Sequence, residues 1–112
     1  SLPYKVTSLN CDIRQNHRTI TIDTSVMVSD GKPGRHIIYI RVTDSQNKRR
    51  PEYDLDIIAT DGRGSHTFNL ALNDLKGKWT IHLEDVASGR THKQDILIQP
   101  LIAQEYPSIN SL

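Results

Sequence analysis

The chain has 112 residues, which is enough for one domain with a single core and leaves little room for a second. Its 14 Lys and Arg residues against 13 Asp and Glu residues leave a formal net charge of +1, so no overall field favours nucleic acid or an anionic membrane. Cys11 is the single cysteine, which excludes an intrachain disulfide and a cysteine-based zinc site. No apolar run approaches the length of a membrane-spanning helix, so we expect no membrane insertion.

The first third of the chain predicts two strands. Residues 4–9 read as a short first strand, and residues 10–16 read as a polar connection. Residues 19–29 alternate apolar and polar side chains over a longer stretch, which is typical of a half-buried strand. Thr24 interrupts the apolar side of that strand, so we expect a bend or bulge there. Residues 30–34 contain one proline and two glycines and are predicted to form a loop.

The next strand is predicted over residues 36–44, and it is apolar on both faces. Its core-facing residues are expected to be Ile38, Ile40 and Val42. Ile37 and Tyr39 lie on the opposite face, where a sandwich strand in contact with water normally carries polar residues. The two residues are therefore predicted to form an interaction surface for a neighbouring domain or another copy of the chain.

A second hairpin is predicted after a charged loop at residues 45–51. Lys48-Arg49-Arg50 is interpreted as a solvated hairpin tip rather than a nucleic-acid site. Strands beginning near Tyr53 and His66 are predicted to be joined by a two-residue turn at Asp61-Gly62. That turn would place Leu55 opposite Phe68, so that the apolar faces of the two strands coincide.

The last hairpin carries the strongest alternation of the chain. Trp79, Ile81 and Leu83 are predicted on its buried face, with Trp79 in the core between two sheets. Residues 86–90 supply the turn, and a returning strand is predicted over residues 91–99. Because Ile96 must share the face of Trp79, the connecting loop should contain two or four residues rather than three.

About seven short strands, separated by regularly spaced turns and without a helical period, predict an all-β fold. We expect an antiparallel, immunoglobulin-like or fibronectin-type-III-like β-sandwich, with a small barrel as the alternative. Residues 1–100 would form the single domain, and residues 101–112 would be a C-terminal tail or linker.

From Tyr53 onward the sequence carries motifs typical of β-sandwich strands and turns. They are Ala-Thr-Asp-Gly-Arg-Gly at 59–64, Leu-Ala-Leu-Asn-Asp at 70–74, Gly-Lys-Trp-Thr-Ile at 77–81 and Asp-Val-Ala-Ser-Gly at 85–89. This pattern resembles accessory modules of large exported bacterial proteins, including β-galactosidase-type chains, and strand motifs of macroglobulin-type domains. The resemblance implies a non-catalytic module of a multidomain protein with an extracellular or periplasmic location.

Metal and cofactor sites are not expected. Five histidines are scattered singly, and only His82 and His92 could approach each other across the last hairpin, with Glu84 as a third zinc ligand. Residues 61–64 and Asp30-Gly31 lack the further oxygen ligands of an EF-hand, so both are interpreted as turns.

Catalysis is not expected either. Cys11 is predicted in a polar loop with His17 nearby, but no motif indicates that the thiol is activated. Glu84 and Asp85 are adjacent in a strand, so their carboxylates point to opposite faces and cannot flank one bond. The prediction is a structural or interaction module. The alternative is a carbohydrate-binding accessory module, for which Tyr39 would be the aromatic on an outer face.

Overall fold

The computed structural model describes residues 4–100, which contain seven strands and one short 3-10 helix. The strands are β1 (Val6–Asn16), β2 (Thr19–Val28), β3 (His36–Thr43), β4 (Leu55–Ala59), β5 (Arg63–Asn69), β6 (Gly77–Asp85) and β7 (Thr91–Ile98). The 3-10 helix, Pro51–Tyr53, precedes β4. The 101–112 tail lies outside the described residues.

The strands form two antiparallel sheets with the core between them. One sheet has the order β1-β2-β5 and the other has the order β4-β3-β6-β7. The all-β, antiparallel sandwich predicted from the sequence is therefore confirmed, and the strands form two sheets rather than the alternative barrel. Antiparallel pairing lets each sheet bury one face and present the other to solvent, as the period-2 pattern requires.

The core is built from the inward-facing residues that the alternation predicts. Trp79 is only 1% exposed, and its indole Nε1 donates a hydrogen bond to the carbonyl of Leu75 at 2.8 Å. The predicted position of Trp79 in the core is confirmed. The buried hydrophobic residues are Val6, Leu9, Ile20, Ile22, Val26, Ile38, Ile40, Val42, Ile57, Ala59, Leu70, Trp79, Ile81, Leu83 and Ile98.

The prediction that residues 10–16 form a polar connection is wrong. Strand β1 continues to Asn16, which pairs with Thr19 across a two-residue turn at His17-Arg18. His17 takes a positive φ of 55°, which a tight hairpin turn needs. Asn10, Asp12 and Arg14 lie on the outer face of this strand, while Cys11 packs against the core. A strand with a polar outer face and few apolar residues on its inner face has the composition of a loop, which explains the difference.

The bulge expected at Thr24 is also absent. Strand β2 pairs with β1 without interruption from Met27 to Thr19, and the register shifts instead between Val6 and Ser8. Thr24 faces the core with 3% exposure, and its hydroxyl donates a hydrogen bond to the carbonyl of Gly64 at 3.2 Å. A buried threonine whose hydroxyl is satisfied needs no break in the strand.

The turn at Asp61-Gly62 is confirmed, but the hairpin built on it is wrong. Thr60 and Arg63 exchange backbone hydrogen bonds of 2.9 and 3.0 Å around that turn. Beyond it the two strands separate, because β4 pairs with β3 and β5 pairs with β2 in the other sheet. The alternation of apolar and polar residues does not distinguish a hairpin within one sheet from two strands in different sheets. In both arrangements the apolar faces of the two strands point into the same core.

The register of the last hairpin is confirmed. Asp85 donates its backbone N–H to the carbonyl of Arg90 at 2.8 Å, which leaves four loop residues, 86–89, between them. Trp79 pairs with Ile96, so the two side chains share the inner face of the sheet.

Helical segments are short in this fold, and no helix among residues 4–100 is long and apolar enough to cross a membrane.

Candidate functional site

The outer face of the four-stranded sheet carries a contiguous row of aliphatic side chains, formed by Ile58, Ile37 and Val86 and called here the aliphatic row. Ile37 pairs with Ile58 on β4, and on its other side the backbone N–H of Val86 donates to the carbonyl of Ile37 at 3.0 Å. The side chains of Ile58, Ile37 and Val86 are 52%, 45% and 44% exposed. Directly opposed residues on adjacent strands contact each other, so the three form one apolar patch.

The alternation of each strand explains why these three side chains point outward. Ile58 follows buried Ile57 in β4, and Ile37 follows buried His36 in β3. Val86 follows buried Asp85 at the end of β6. Ile37 and Tyr39 are predicted from the sequence as an interaction surface, whereas the positions of Ile58 and Val86 beside Ile37 are not. The adjacent pair Ile57-Ile58 carries the same signal as Ile37-Ile38, namely aliphatic residues on both faces of one strand.

A buried histidine–carboxylate pair lies beneath the aliphatic row. Nδ1 of His36 is 2.7 Å from Oδ1 of Asp85, and both side chains have 0% exposure. Oδ2 of Asp85 accepts hydrogen bonds from the Ser88 hydroxyl at 2.5 Å and the Ser88 backbone N–H at 3.1 Å. On the other side of the imidazole, Nε2 of His36 lies 2.9 Å from the Tyr4 hydroxyl and 3.0 Å from the Pro33 carbonyl.

This network joins the start of β3 to the end of β6 and to the chain that precedes β1. It therefore sets the relative positions of Ile37 and Val86, which are the next residues along the chain from His36 and Asp85. The His36–Asp85 pair was not predicted from the sequence, although the parity of both residues indicates that they are buried. His36 has the parity of core residue Ile38, and Asp85 has the parity of core residue Leu83, so both polar side chains were due to be buried and to need partners.

Charged residues flank the aliphatic row on the same face. Tyr39 is half-buried between Asp56 on β4 and Glu84 on β6. The guanidinium of Arg41 lies over the Tyr39 ring, 4.8 Å from its centroid, and is 3.7 Å from the carboxylate of Asp56. On β4 and β6, the next outward-facing residue beyond the aliphatic row is therefore charged.

His82 lies further along this face, beside Arg41 on β3 and Lys93 on β7. Burial lowers the pKa of its imidazole, and the positive charges of Lys93 and Arg49 lower it further against a smaller opposing effect of Asp95. The imidazole is therefore biased toward its neutral form. His82, Arg41 and Lys93 line a shallow groove across the sheet together with Tyr39 and Glu84.

The zinc ligands considered from the sequence are not brought together. His82 pairs with Lys93, whereas His92 pairs with Leu83, so the two imidazoles lie on opposite faces of the sheet. Within residues 4–100, no group of three or more His, Cys, Asp or Glu side chains converges as a metal site would require.

The interpretation of Lys48-Arg49-Arg50 as a solvated tip is wrong for Arg50. Its side chain is only 15% exposed and forms ion pairs with Asp74 at 2.5 Å, Glu52 at 2.8 Å and Asp44 at 3.4 Å. Asp74 also accepts a hydrogen bond from the Tyr53 hydroxyl. This cluster joins the loop after β3 to the loop after β5, so its role is structural.

The expected loop position of Cys11 is also wrong. Cys11 lies within β1 and pairs with Thr24 on β2. Burial raises the pKa of its thiol to about 11, with a further contribution from the negative charge of Asp12. A thiol with such a pKa is almost entirely protonated at neutral pH and is a weak nucleophile.

Comparison of the chain with protein families, with curated proteins and with solved structures found no match.

Proposed function

We propose that this domain is a non-catalytic interaction module that docks through the aliphatic row onto an adjoining domain of its own polypeptide. The observation that carries the proposal is the unbroken patch formed by Ile58, Ile37 and Val86 on three neighbouring strands. Scattered exposed aliphatic residues are common on protein surfaces, whereas three in one cross-strand row support a docking role.

The free energy of burying apolar surface favours contact between the aliphatic row and a partner. Fully burying one isoleucine side chain contributes about 1.5–3 kcal/mol relative to full exposure, and these side chains are about half exposed already. Two or three of them would supply the apolar centre of an interface of ordinary size, near 800 Å² per partner. Asp56, Glu84 and Arg41 border the row and suit the polar rim that surrounds such a centre.

The proposal assigns no chemistry to the His36–Asp85 pair, because neither side chain is accessible to a substrate. Its contribution is to position the backbone at Ile37 and Val86. The pair therefore holds the backbone beneath the docking surface in place from the buried face of the sheet.

The test is to place lysine at Ile37 and Ile58 within the longer polypeptide. If the row docks on an adjoining domain, the variant should show faster limited proteolysis between domains and a larger radius of gyration in solution scattering. Met27→Lys is the matched control, because Met27 is 59% exposed on the outer face of the other sheet. Domain association that is unchanged in the Ile37→Lys/Ile58→Lys variant would rule out docking through this row.

The second candidate function is carbohydrate binding, and the position of Tyr39 favours it. The Tyr39 ring borders the groove with His82, Glu84 and Lys93, whose side chains can form hydrogen bonds with sugar hydroxyls. Arg41 covers part of that ring, which leaves less of it as a stacking platform. Titration of the domain with plant and bacterial oligosaccharides, monitored at the backbone amides of Tyr39 and His82, tests this candidate. Changes in amide chemical shift on addition of sugar that are lost in Tyr39→Ala would support carbohydrate binding.

We also infer, from the motif resemblance alone, that the parent protein is an exported bacterial protein with an extracellular or periplasmic location. A signal peptide and further sandwich or glycoside-hydrolase domains in the flanking sequence would support this inference. A flanking sequence typical of a cytosolic protein would contradict it.

A further inference from the structure

The sandwich has four edge strands, and three of them are protected against pairing with another chain. Strand β1 has a register shift near Val6 and a charged outer face, and β4 is only five residues long. Strand β7 carries Lys93 and Asp95 on its outer face. Short length, irregularity and charge are the usual means by which proteins prevent edge strands from pairing with another chain.

Strand β5 carries one charged residue, Arg63 at its first position, and lacks these protections over the rest of its length. Its stretch from Gly64 to Asn69 contains no Lys, Arg, Asp, Glu or Pro, and it pairs with β2 in regular register along its full length. Ser65, Thr67 and Asn69 are exposed on the outer face of this strand. An edge strand that is regular and uncharged is a template for a further strand.

The backbone groups at this edge are available. Leu70 donates its N–H to the carbonyl of Arg18 at 2.8 Å, which sets the pattern of bonding between β5 and β2. Because hydrogen-bonded and non-hydrogen-bonded pairs alternate in an antiparallel ladder, the even-numbered residues of β5 bond to β2. Ser65, Thr67 and Asn69 therefore direct their backbone N–H and C=O groups away from β2, toward the open edge of the sheet.

We propose that β5 pairs antiparallel with β5 of a second copy of this chain, about a two-fold axis at His66. Ser65 then lies opposite Thr67 of the second copy, and the outward-directed backbone groups of these residues meet as hydrogen-bonded pairs. Gly64 lies opposite Phe68 of the second copy, so that glycine leaves room for the aromatic ring, and His66 lies opposite His66 at the axis. The two β1-β2-β5 sheets become one continuous sheet across the dimer.

A second copy fits this edge for two reasons. The segment is self-complementary, because hydroxyl faces hydroxyl and no charged residue meets a like charge between Gly64 and Phe68. Within residues 4–100 each copy also has a single edge of this kind, so two-fold pairing occupies it and gives a closed dimer rather than a fibre. Edge pairing alone covers little surface, and we expect association that depends on protein concentration.

The first experiment is sedimentation over a wide range of protein concentrations, with a proline variant at the edge. Thr67→Pro removes an outward N–H, a change that an edge strand tolerates, and should abolish the dimer. Lys93→Pro is the matched control on β7, because Lys93 also directs its N–H away from its sheet. A chain that stays monomeric at all concentrations, or a dimer lost with Lys93→Pro and kept with Thr67→Pro, would overturn the proposal.

The second experiment uses charge and does not depend on proline. Ser65→Lys/Thr67→Lys should be monomeric, and so should Ser65→Glu/Thr67→Glu, because like charges face each other across the axis in each. A mixture of the two variants should recover association as a heterodimer. Recovery identifies β5 of a second copy as the partner, whereas failure of the mixture to associate while the wild type dimerises would contradict the pairing.

This dimer is independent of docking through the aliphatic row, which lies on the other sheet. Ile37→Lys should leave the sedimentation behaviour of the isolated chain unchanged. A dimer lost in Ile37→Lys and retained in Thr67→Pro would assign self-association to the aliphatic row and refute pairing at β5.

Discussion

The guanidinium of Arg50 lies over the indole of Trp79, with its central carbon 5.2 Å from the ring centroid. The same guanidinium is 5.3 Å from the centroid of the Tyr53 ring and forms an ion pair with Asp74 at 2.5 Å. One charged side chain therefore covers the end of the core, neutralises a buried carboxylate and joins two loops. Such a cation lies in a partly desolvated site, where its interactions are stronger than at an exposed surface.

Replacing Arg50 by methionine should destabilise the domain strongly. The change leaves Asp74 and Asp44 buried without their cation, and loss of one partner of a buried ion pair typically costs about 3–5 kcal/mol. The free energy of unfolding is measured by urea denaturation. Arg49→Met is the control, because Arg49 is half exposed and its pair with Asp54 lies near the surface. Equal losses for the two variants would contradict the role given to Arg50.

The same cluster predicts a loss of stability in acid. Burial raises the pKa of Asp74, but hydrogen bonds from Tyr53, Arg50 and the Ala71 backbone N–H outweigh it and hold the pKa below its usual range. Burial likewise raises the pKa of Asp44, and hydrogen bonds from backbone N–H groups and Arg50 again outweigh it.

Because both folded pKa values lie below the unfolded ones, the stabilisation is present above the ordinary aspartate pKa. It is lost as the pH falls from about 4 through the folded values. Denaturation midpoints measured between pH 7 and pH 2 check this, and the acid-dependent loss should be smaller in Arg50→Met. A stability that rises on acidification below pH 4 would refute the prediction.

Trp79→Ala should cost about 3–5 kcal/mol, because a large buried side chain is replaced by a cavity. Trp79→Phe retains much of the volume and should cost less, although it leaves the carbonyl of Leu75 without the indole N–H. Since Trp79 is the single tryptophan, its fluorescence in the wild type reports the core directly. Emission like that of a fully hydrated indole in the folded protein would contradict its burial.

Gly62 and Gly31 have similar positive φ angles, but replacing each of them by alanine should lower the stability by different amounts. At Gly62, with φ +79°, a Cβ atom would lie 2.5 Å from the Val26 carbonyl oxygen and 2.8 Å from Cγ of Pro33. At Gly31, with φ +72°, a Cβ atom would have no other heavy atom within 4 Å. Gly31→Ala should cost about 1–2 kcal/mol from backbone strain alone. Gly62→Ala should cost about 1–3 kcal/mol more from the clash, as measured by thermal unfolding.

Cys11 should react slowly with iodoacetamide in the folded protein. Its pKa near 11 leaves far less thiolate at pH 8 than an ordinary cysteine has, so alkylation should be roughly a hundredfold slower than in urea. Cys11→Ser/Thr7→Cys moves the thiol to an exposed position in the same strand and should react at close to the unfolded rate. Equal rates for folded and unfolded wild type would show that the thiol is accessible and ionised.

The amino-acid sequence by itself determined which side chains of β3, β4 and β6 face the core. Alternation placed Trp79, Ile40 and Ile57 on inner faces, and it limited the loop of the last hairpin to two or four residues, of which the structure has four. These are local properties, since side-chain direction in a strand repeats every second residue and a tight turn is defined by its own residues. The apolar outer position of Ile37 was visible for the same reason.

Tertiary structure alone decided the partners of β4 and β5. Alternation allowed β4 and β5 to be neighbours, yet non-local contacts place β4 beside β3 and β5 beside β2. The same contacts bring His36 to Asp85 and bring Arg50 to Asp74, residues far apart in the chain. The free energy of such pairings depends on the packing of the whole core, which no short stretch of sequence contains. The aliphatic row and the open edge of β5 follow from those pairings.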